Sequence, residues 1–253
     1  MTSAFLYILL PSILVTSFIS GIFGMAGGMI MMGIIAWFLP VNTAMVLHGF
    51  VQMTSNGWRA ILHRKHIQWP IIKYYLPGLL CALAAFMLLQ LVVNKAVLFI
   101  FLGAMPFLQY LLPKNAAMNI EKPKHAFLAG LVFSTLQLLC GVSGPIVDLF
   151  FVKSKLNRHQ IIATKAVTQG FGHIMKIFYF GAVVALNEEL PAALYITAFL
   201  AAMIGTTLSG FVLHRMTDHQ FRQHSPGLIL VIALFHPERG SSADLAWISI
   251  TVQ

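Results

Sequence analysis

Gln52, Asn56 and Arg59 in one apolar stretch, and Gln169, His173 and Lys176 in another, are polar side chains spaced four and then three residues apart. That spacing puts each trio on one face of a helix. His48 and Lys165 extend the two sets by one more turn, and each of the four pairs is separated by 117 residues. Gln52 and Gln169, as a matched pair, suit either of two tasks. Their amide N–H groups can hold the oxygens of an anion, or they can hydrogen-bond one membrane helix to another. Asn56 and His173, one turn further on, carry the same two readings.

The charged members add further chemistry. Lys165 is a candidate counter-charge for an anion, or a lysine reaching to a nearby interface with its ammonium in water. Arg59 and Lys176 stand toward the far ends of their segments, and the snorkelling geometry suits Arg59 especially well. Asp148 is the one acidic residue inside an apolar element. It suits proton uptake during transport or an ion pair with Lys153 or Lys165. The histidines and the cysteines show no zinc-type spacing, so neither a metal nor a cofactor is expected. Cys81 and Cys140, without a CxxC pattern, read as small core residues.

The same offset of 117 relates two glycine-rich stretches. Gly24-Met25-Ala26-Gly27-Gly28 pairs with Gly141-Val142-Ser143-Gly144-Pro145. Small residues in apolar helices often serve close packing. Irregular backbone at membrane depth is tolerated only beside protein or water, and matched breaks in two halves of a transporter mark its midplane site. The duplication favours the second role. A helix restarting at Gly27-Gly28, and another at Gly144 with Pro145 in its first turn, would each direct unpaired N–H groups toward an anion.

These motifs sit in a chain of 253 residues that is 58% hydrophobic and only 9% charged, with a mean hydropathy of +0.84. A soluble domain carries roughly a quarter charged residues, so this is an integral membrane protein. Residues 1–58 contain no Asp, Glu, Lys or Arg, and further uncharged windows cover 74–94, 96–113, 126–147 and 190–214. Each approaches the roughly 20 residues that cross a hydrocarbon core. The first residues, Met1-Thr2-Ser3-Ala4, lack the basic start of a signal peptide, and 1–38 is read as part of the mature protein. The excess of 16 Lys+Arg over 7 Asp+Glu falls in short connections, as cytoplasmic loops require. No basic soluble domain is available for nucleic acid.

The element reading is a broken segment over 4–38, helices over about 43–62, 71–93 and 96–112, and a polar connection 114–124. A second broken segment over 125–152 follows, with helices over about 160–186 and 191–214. A short apolar run, 228–235, is too brief to span a bilayer by itself. The expected fold is an all-α membrane protein of about 7–8 membrane helices. It divides into a first repeat over 1–118, a second over 119–236 and an atypical tail over 237–253. Loop charge then fixes the relation of the halves. In the first half the basic connection, Arg64 and Lys65, follows the helix with the polar stripe. In the second half Lys153, Lys155 and Arg158 precede the equivalent helix, while Glu188 and Glu189 follow it. The positive-inside rule therefore makes the repeats inverted, with a broken or re-entrant first helix in each.

The two glycine-rich breaks, the helices bearing Gln52 and Gln169, and the duplicated plan resemble the TauE/SafE family of sulfite-exporter permeases over about residues 5–220. Met29 after Gly27-Gly28, with the next proline only at Pro40, departs from that family's usual signature. The resemblance implies a multi-pass inner-membrane transporter of small, often sulfur-containing anions such as sulfite or an organosulfonate. Its partners would be the anionic substrate and the lipid bilayer, and a homo-oligomer is compatible with it. The substrate positions expected are Gly24, Ala26, Gly27, Gly28, Gln52, Asn56, Gly141, Ser143, Gly144, Pro145, Gln169 and His173, with Asp148 and Lys165 for proton coupling or counter-charge. Two rivals differ in class. Gly141-Val142-Ser143-Gly144 matches the GxSG of rhomboid-type serine proteases, which need a histidine such as His173 beside the serine; a non-transporting accessory protein needs no site.

Overall fold

The computed structural model describes residues 3–23, 26–111, 118–184 and 190–215. Nine helices and no strand occur among them. They are α1 (Ser3–Phe23), α2 (Ala26–Phe38), α3 (Val41–Leu62), α4 (Trp69–Leu89), α5 (Lys95–Leu111), α6 (Pro123–Cys140), α7 (Gly144–Phe151), α8 (Arg158–Phe178) and α9 (Ala192–Arg215). Counting α1 with α2 and α6 with α7 as two broken elements leaves seven units over these residues. The expected run 228–235, the tail 237–253 and the acidic pair Glu188 and Glu189 lie outside the described residues.

Local sequence explains most of the boundaries. Pro70 and Pro123 open α4 and α6 in the first turn, where a missing N–H costs nothing. Asn157 and Gln160 cap α8 reciprocally, each side chain accepting the other's backbone N–H at 3.0 Å. The last turn of the α8 segment widens into a π turn over Tyr179–Val183. There the Tyr179 hydroxyl donates to the carbonyl oxygens of Phe86 and Leu91, at 3.1 and 3.0 Å, across the end of α4.

Polarity is reversed relative to a soluble bundle. The outer faces carry large apolar side chains, with Leu88 84%, Ile100 69% and Phe211 65% exposed. The polar residues of α3 and α8 are buried instead. That distribution suits lipid outside and a polar interior. Both α4 and α9 are long and apolar enough to cross a membrane. Cys140 is buried, but Cys81 is exposed on α4, which corrects its reading as a core residue. An apolar thiol costs nothing on an outward face toward lipid.

α3 and α8 form the centre and run antiparallel. Gly49 lies against Ile177 and the His173 carbonyl, while at the other end the His63 and His66 rings meet His159, with centroids 5.7 and 5.2 Å apart. Two further helix pairs flank them, α4 with α6 and α1 with α9. Glycines allow the backbones to touch: a Cβ on Gly78 would stand 2.0 Å from the Phe127 carbonyl oxygen, and one on Gly205 would stand 2.3 Å from that of Leu14.

Candidate anion site at the helix breaks

The second break is a backbone turn that glycine makes easy. Gly141 ends α6 at φ +79°, in the left-handed region, and a Cβ there would meet the Met32 sulfur at 2.8 Å. After Val142 and Ser143 the chain restarts as α7 at Gly144, with Pro145 in its first turn. At the first glycine-rich stretch α1 is described to Phe23 and α2 from Ala26, and the two helices pack against each other. The two described glycines of this stretch do different work. A Cβ on Gly27 would lie 1.9 Å from the Thr16 carbonyl oxygen, so this residue lets α1 and α2 pack; one on Gly28 would lie 3.4 Å from the Gln52 side-chain amide.

The starts of α2 and α7 meet at one cavity. Gly28, Val142, Ser143 and Gly144 form its backbone side, and His48, Gln52, Gln137, Gln169 and His173 close it from α3, α6 and α8. About 20 Å³ is open to the centre of a water-sized sphere, close to the room one water needs. The lining is polar and under-bonded. Gln52 Nε2, Gln137 Oε1, Ser143 Oγ and His173 Nδ1 are buried with no hydrogen-bond partner among the described residues. A buried polar atom without a partner costs on the order of 1–3 kcal/mol, and four of the cavity's lining residues carry one.

Lys176 stands directly behind this lining and is fully buried. Its Nζ is 2.7 Å from His48 Nδ1 and donates to the Gly141 carbonyl oxygen at 3.0 Å. His48 Nε2 lies 2.7 Å from the Gly28 carbonyl oxygen. A carbonyl only accepts, so Nε2 carries the hydrogen, and Nδ1 is then the acceptor for Lys176. One chain of bonds, Gly141 to Lys176 to His48 to Gly28, thus ties the two breaks together. The His48 and His173 rings stand edge to face, 5.6 Å apart, and His173 Nε2 is 3.3 Å from Gln137 Nε2.

Of the residues expected from the sequence, Gly28, Gln52, Ser143, Gly144, Gln169 and His173 come together at the cavity. Ala26 is buried at the start of α2, Gly141 accepts from Lys176, and Gly24 lies outside the described residues. Asn56 turns elsewhere: its Nδ2 donates to the Gln52 carbonyl oxygen at 2.9 Å, and its Oδ1 accepts from Arg59 Nη1 at 3.3 Å. Asp148 and Lys165 pair with each other. Lys165 and Arg59, 3% and 2% exposed, do not reach an interface. Both turn inward because they have partners there, Asp148 for one and Asn56 for the other. Beyond the expected list, His48 and Gln137 also line the cavity, and Lys176 stands behind it, against His48. His48 and Lys176 already stood in the polar stripes, whereas Gln137 corresponds at the offset of 117 to Ser20, a match too slight to read.

Nothing in the geometry favours the protease reading: among the described residues Ser143 Oγ makes no hydrogen bond, and His173 Nε2 lies against Gln137 rather than against the serine.

No curated protein and no solved structure matches the chain. A family model described as sulfite exporter TauE/SafE matches residues 9–235, nearly the whole sequence. A chain matched over that length, with apolar outer faces and a polar centre, is an integral membrane protein of the transporter type and belongs to the sulfite exporter TauE/SafE family.

Proposed function

We propose that this chain is a secondary transporter that moves small sulfur oxyanions, sulfite or an organosulfonate, through the cavity between α2, α3, α6, α7 and α8. The observation that carries this reading is the set of unpartnered polar atoms converging on a cavity backed by the buried Lys176 ammonium. A cation buried without a carboxylate favours an anion. The N-terminal N–H groups of α2 and α7 add partial positive charge from two directions. Gln52, Gln169 and Ser143 supply neutral donors, which fix the orientation of oxygens without adding charge. The room available corresponds to a closed state, and the amide side chains must swing aside for a sulfite to enter.

Two inverted repeats would provide the alternating access. α6 ends 117 residues after α1, and α8 begins 117 residues after α3. Packing partners exchange in the same way, α1 with α9 and α6 with α4. The antiparallel course of α3 and α8 is what inversion requires. On this basis the protein is multi-pass in the cell's inner membrane, with substrate positions Gly28, Gln52, Ser143, Gly144, Gln169 and His173 and with Lys176 as the counter-charge.

Flux of radiolabelled sulfite into proteoliposomes tests the proposal, with sulfoacetate, sulfolactate and thiosulfate as competitors, with and without a proton gradient. Sulfite is expected to exchange, and Gln52→Ala and Gln169→Ala are each expected to slow flux about tenfold, the loss of one charge-assisted hydrogen bond. Unchanged flux in both variants would remove the cavity from the path.

A further inference from the structure

We propose that Arg59 is a second binding position for the transported oxyanion, set off the central cavity toward the basic turn Arg64–His66. This rests on the reading of the chain as an oxyanion transporter. Arg59 is 2% exposed. Its Nη1 donates to Asn56 Oδ1 at 3.3 Å, while Nε and Nη2 have no partner among the described residues. Those two nitrogens form one edge of the guanidinium, with parallel N–H bonds. It is the edge that grips two oxygens of a single carboxylate or oxyanion.

A guanidinium keeps its proton, so burial cannot be relieved by neutralisation, as it can for an amine. An anion must therefore cover it. The described residues offer two carboxylates, and both are engaged elsewhere. Asp148 pairs with Lys165, and exposed Glu121 accepts the backbone N–H of Lys155 at 2.8 Å. Among the described residues the open edge of Arg59 therefore has no anionic partner, and it suits a ligand of the same chemistry as the substrate.

Its position fits a path. Gln52, Asn56 and Arg59 share one face of α3, and seven residues separate the first from the last, about 10 Å along the axis. Lys176 lies on the other side of Gln52, beside Gly49, whose Cβ would stand 3.2 Å from Lys176 Cε. The two buried cations flank the cavity along the α3–α8 pair. An oxyanion leaving the cavity side passes Asn56 and is caught by Arg59 before the basic connection.

Equilibrium binding of radiolabelled sulfite to the purified full chain in detergent reads this directly. Wild type is expected to bind two sulfites per chain, Arg59→Met one, and Arg59→Lys two, with the second weakened about tenfold because a lysine keeps the charge without the two-pronged edge. Lys176→Met should lose the other site and keep the one at Arg59. If Arg59→Met does not fold, as judged by gel filtration, Arg59→Lys decides. A wild-type stoichiometry of one that disappears in Lys176→Met overturns the proposal while leaving the cavity reading intact, as would a carboxylate from another part of the chain already seated on Arg59. A stoichiometry of two that survives both Arg59 variants at unchanged affinity also overturns it. No binding by wild type overturns both readings.

Discussion

Lys176 Nζ stands 2.7 Å from His48 Nδ1, which joins α8 to α3 at the level of both helix breaks. The same ammonium holds the Gly141 carbonyl, and His48 holds that of Gly28. An arriving oxyanion would compete for this ammonium and so loosen both breaks together. Lys176→Met is therefore expected to lower sulfite flux at least thirtyfold, from the roughly 2–5 kcal/mol lost when one partner of a buried charged contact is removed. Methionine suits a buried site and removes the desolvated charge, so the melting temperature in detergent should hold or rise. Flux at the wild-type level in a well-folded Lys176→Met would exclude the ammonium from transport.

The two glycines of the first break should separate stability from transport. In Gly27→Ala the added methyl meets the Thr16 carbonyl oxygen at 1.9 Å, and α1 and α2 must move apart. Overpacking of this kind costs about 1–3 kcal/mol, visible as a lower melting temperature. In Gly28→Ala the methyl lies 3.4 Å from the Gln52 amide carbon, an ordinary contact, but it projects toward the cavity. This variant should fold normally and transport poorly. Equal thermal losses in the two variants would contradict the division of roles.

Asp148 and Lys165 are expected to act as a structural pair. Asp148→Asn leaves Lys165 buried beside Phe151 without its carboxylate, a change worth about 3–5 kcal/mol. The double variant Asp148→Asn with Lys165→Met removes both charges and should recover most of that loss in thermal unfolding, together with flux. Recovery of folding without recovery of proton-dependent flux would instead assign proton uptake to Asp148.

The helix breaks were legible because glycine has no side chain to hide: Gly24, Gly27, Gly141 and Gly144 stand out in any apolar run, and their pairwise spacing of 117 survives without knowledge of packing. The stripes of α3 and α8 were legible for the same reason, as polar residues in an apolar field at helical intervals. Rotation and reach were not. Sequence position gives the height of Arg59 along its helix, which suggested snorkelling; that its guanidinium turns back onto Asn56 depends on what covers α3. Gln137 joins the cavity only because α6 is brought against α8, where a Cβ on Gly172 would stand 1.6 Å from Gln137 Oε1. Cys81 shows the converse limit: in a membrane protein an apolar residue faces core or lipid at equal cost, so composition alone does not choose between them.

Orientation in the membrane follows from which connections share an end. The turn Arg64–His66 after α3 and the start of α8 meet through His66 and His159, and Lys153, Lys155 and Arg158 stand in or beside the same region. So many basic residues at one end predict that this end faces the cytoplasm. The sequence after α8 carries Glu188 and Glu189, and the same rule predicts the opposite side for it. In a background where Cys81 and Cys140 are replaced by serine, Arg64→Cys and Lys155→Cys should react with an impermeant maleimide only after the inner face is exposed, and Glu188→Cys should react in intact cells. Cys81 must be removed first because it is exposed on α4 and would report lipid access. Labelling of Arg64→Cys and Glu188→Cys from the same side would remove the inverted arrangement, since α8 would then fail to cross between them.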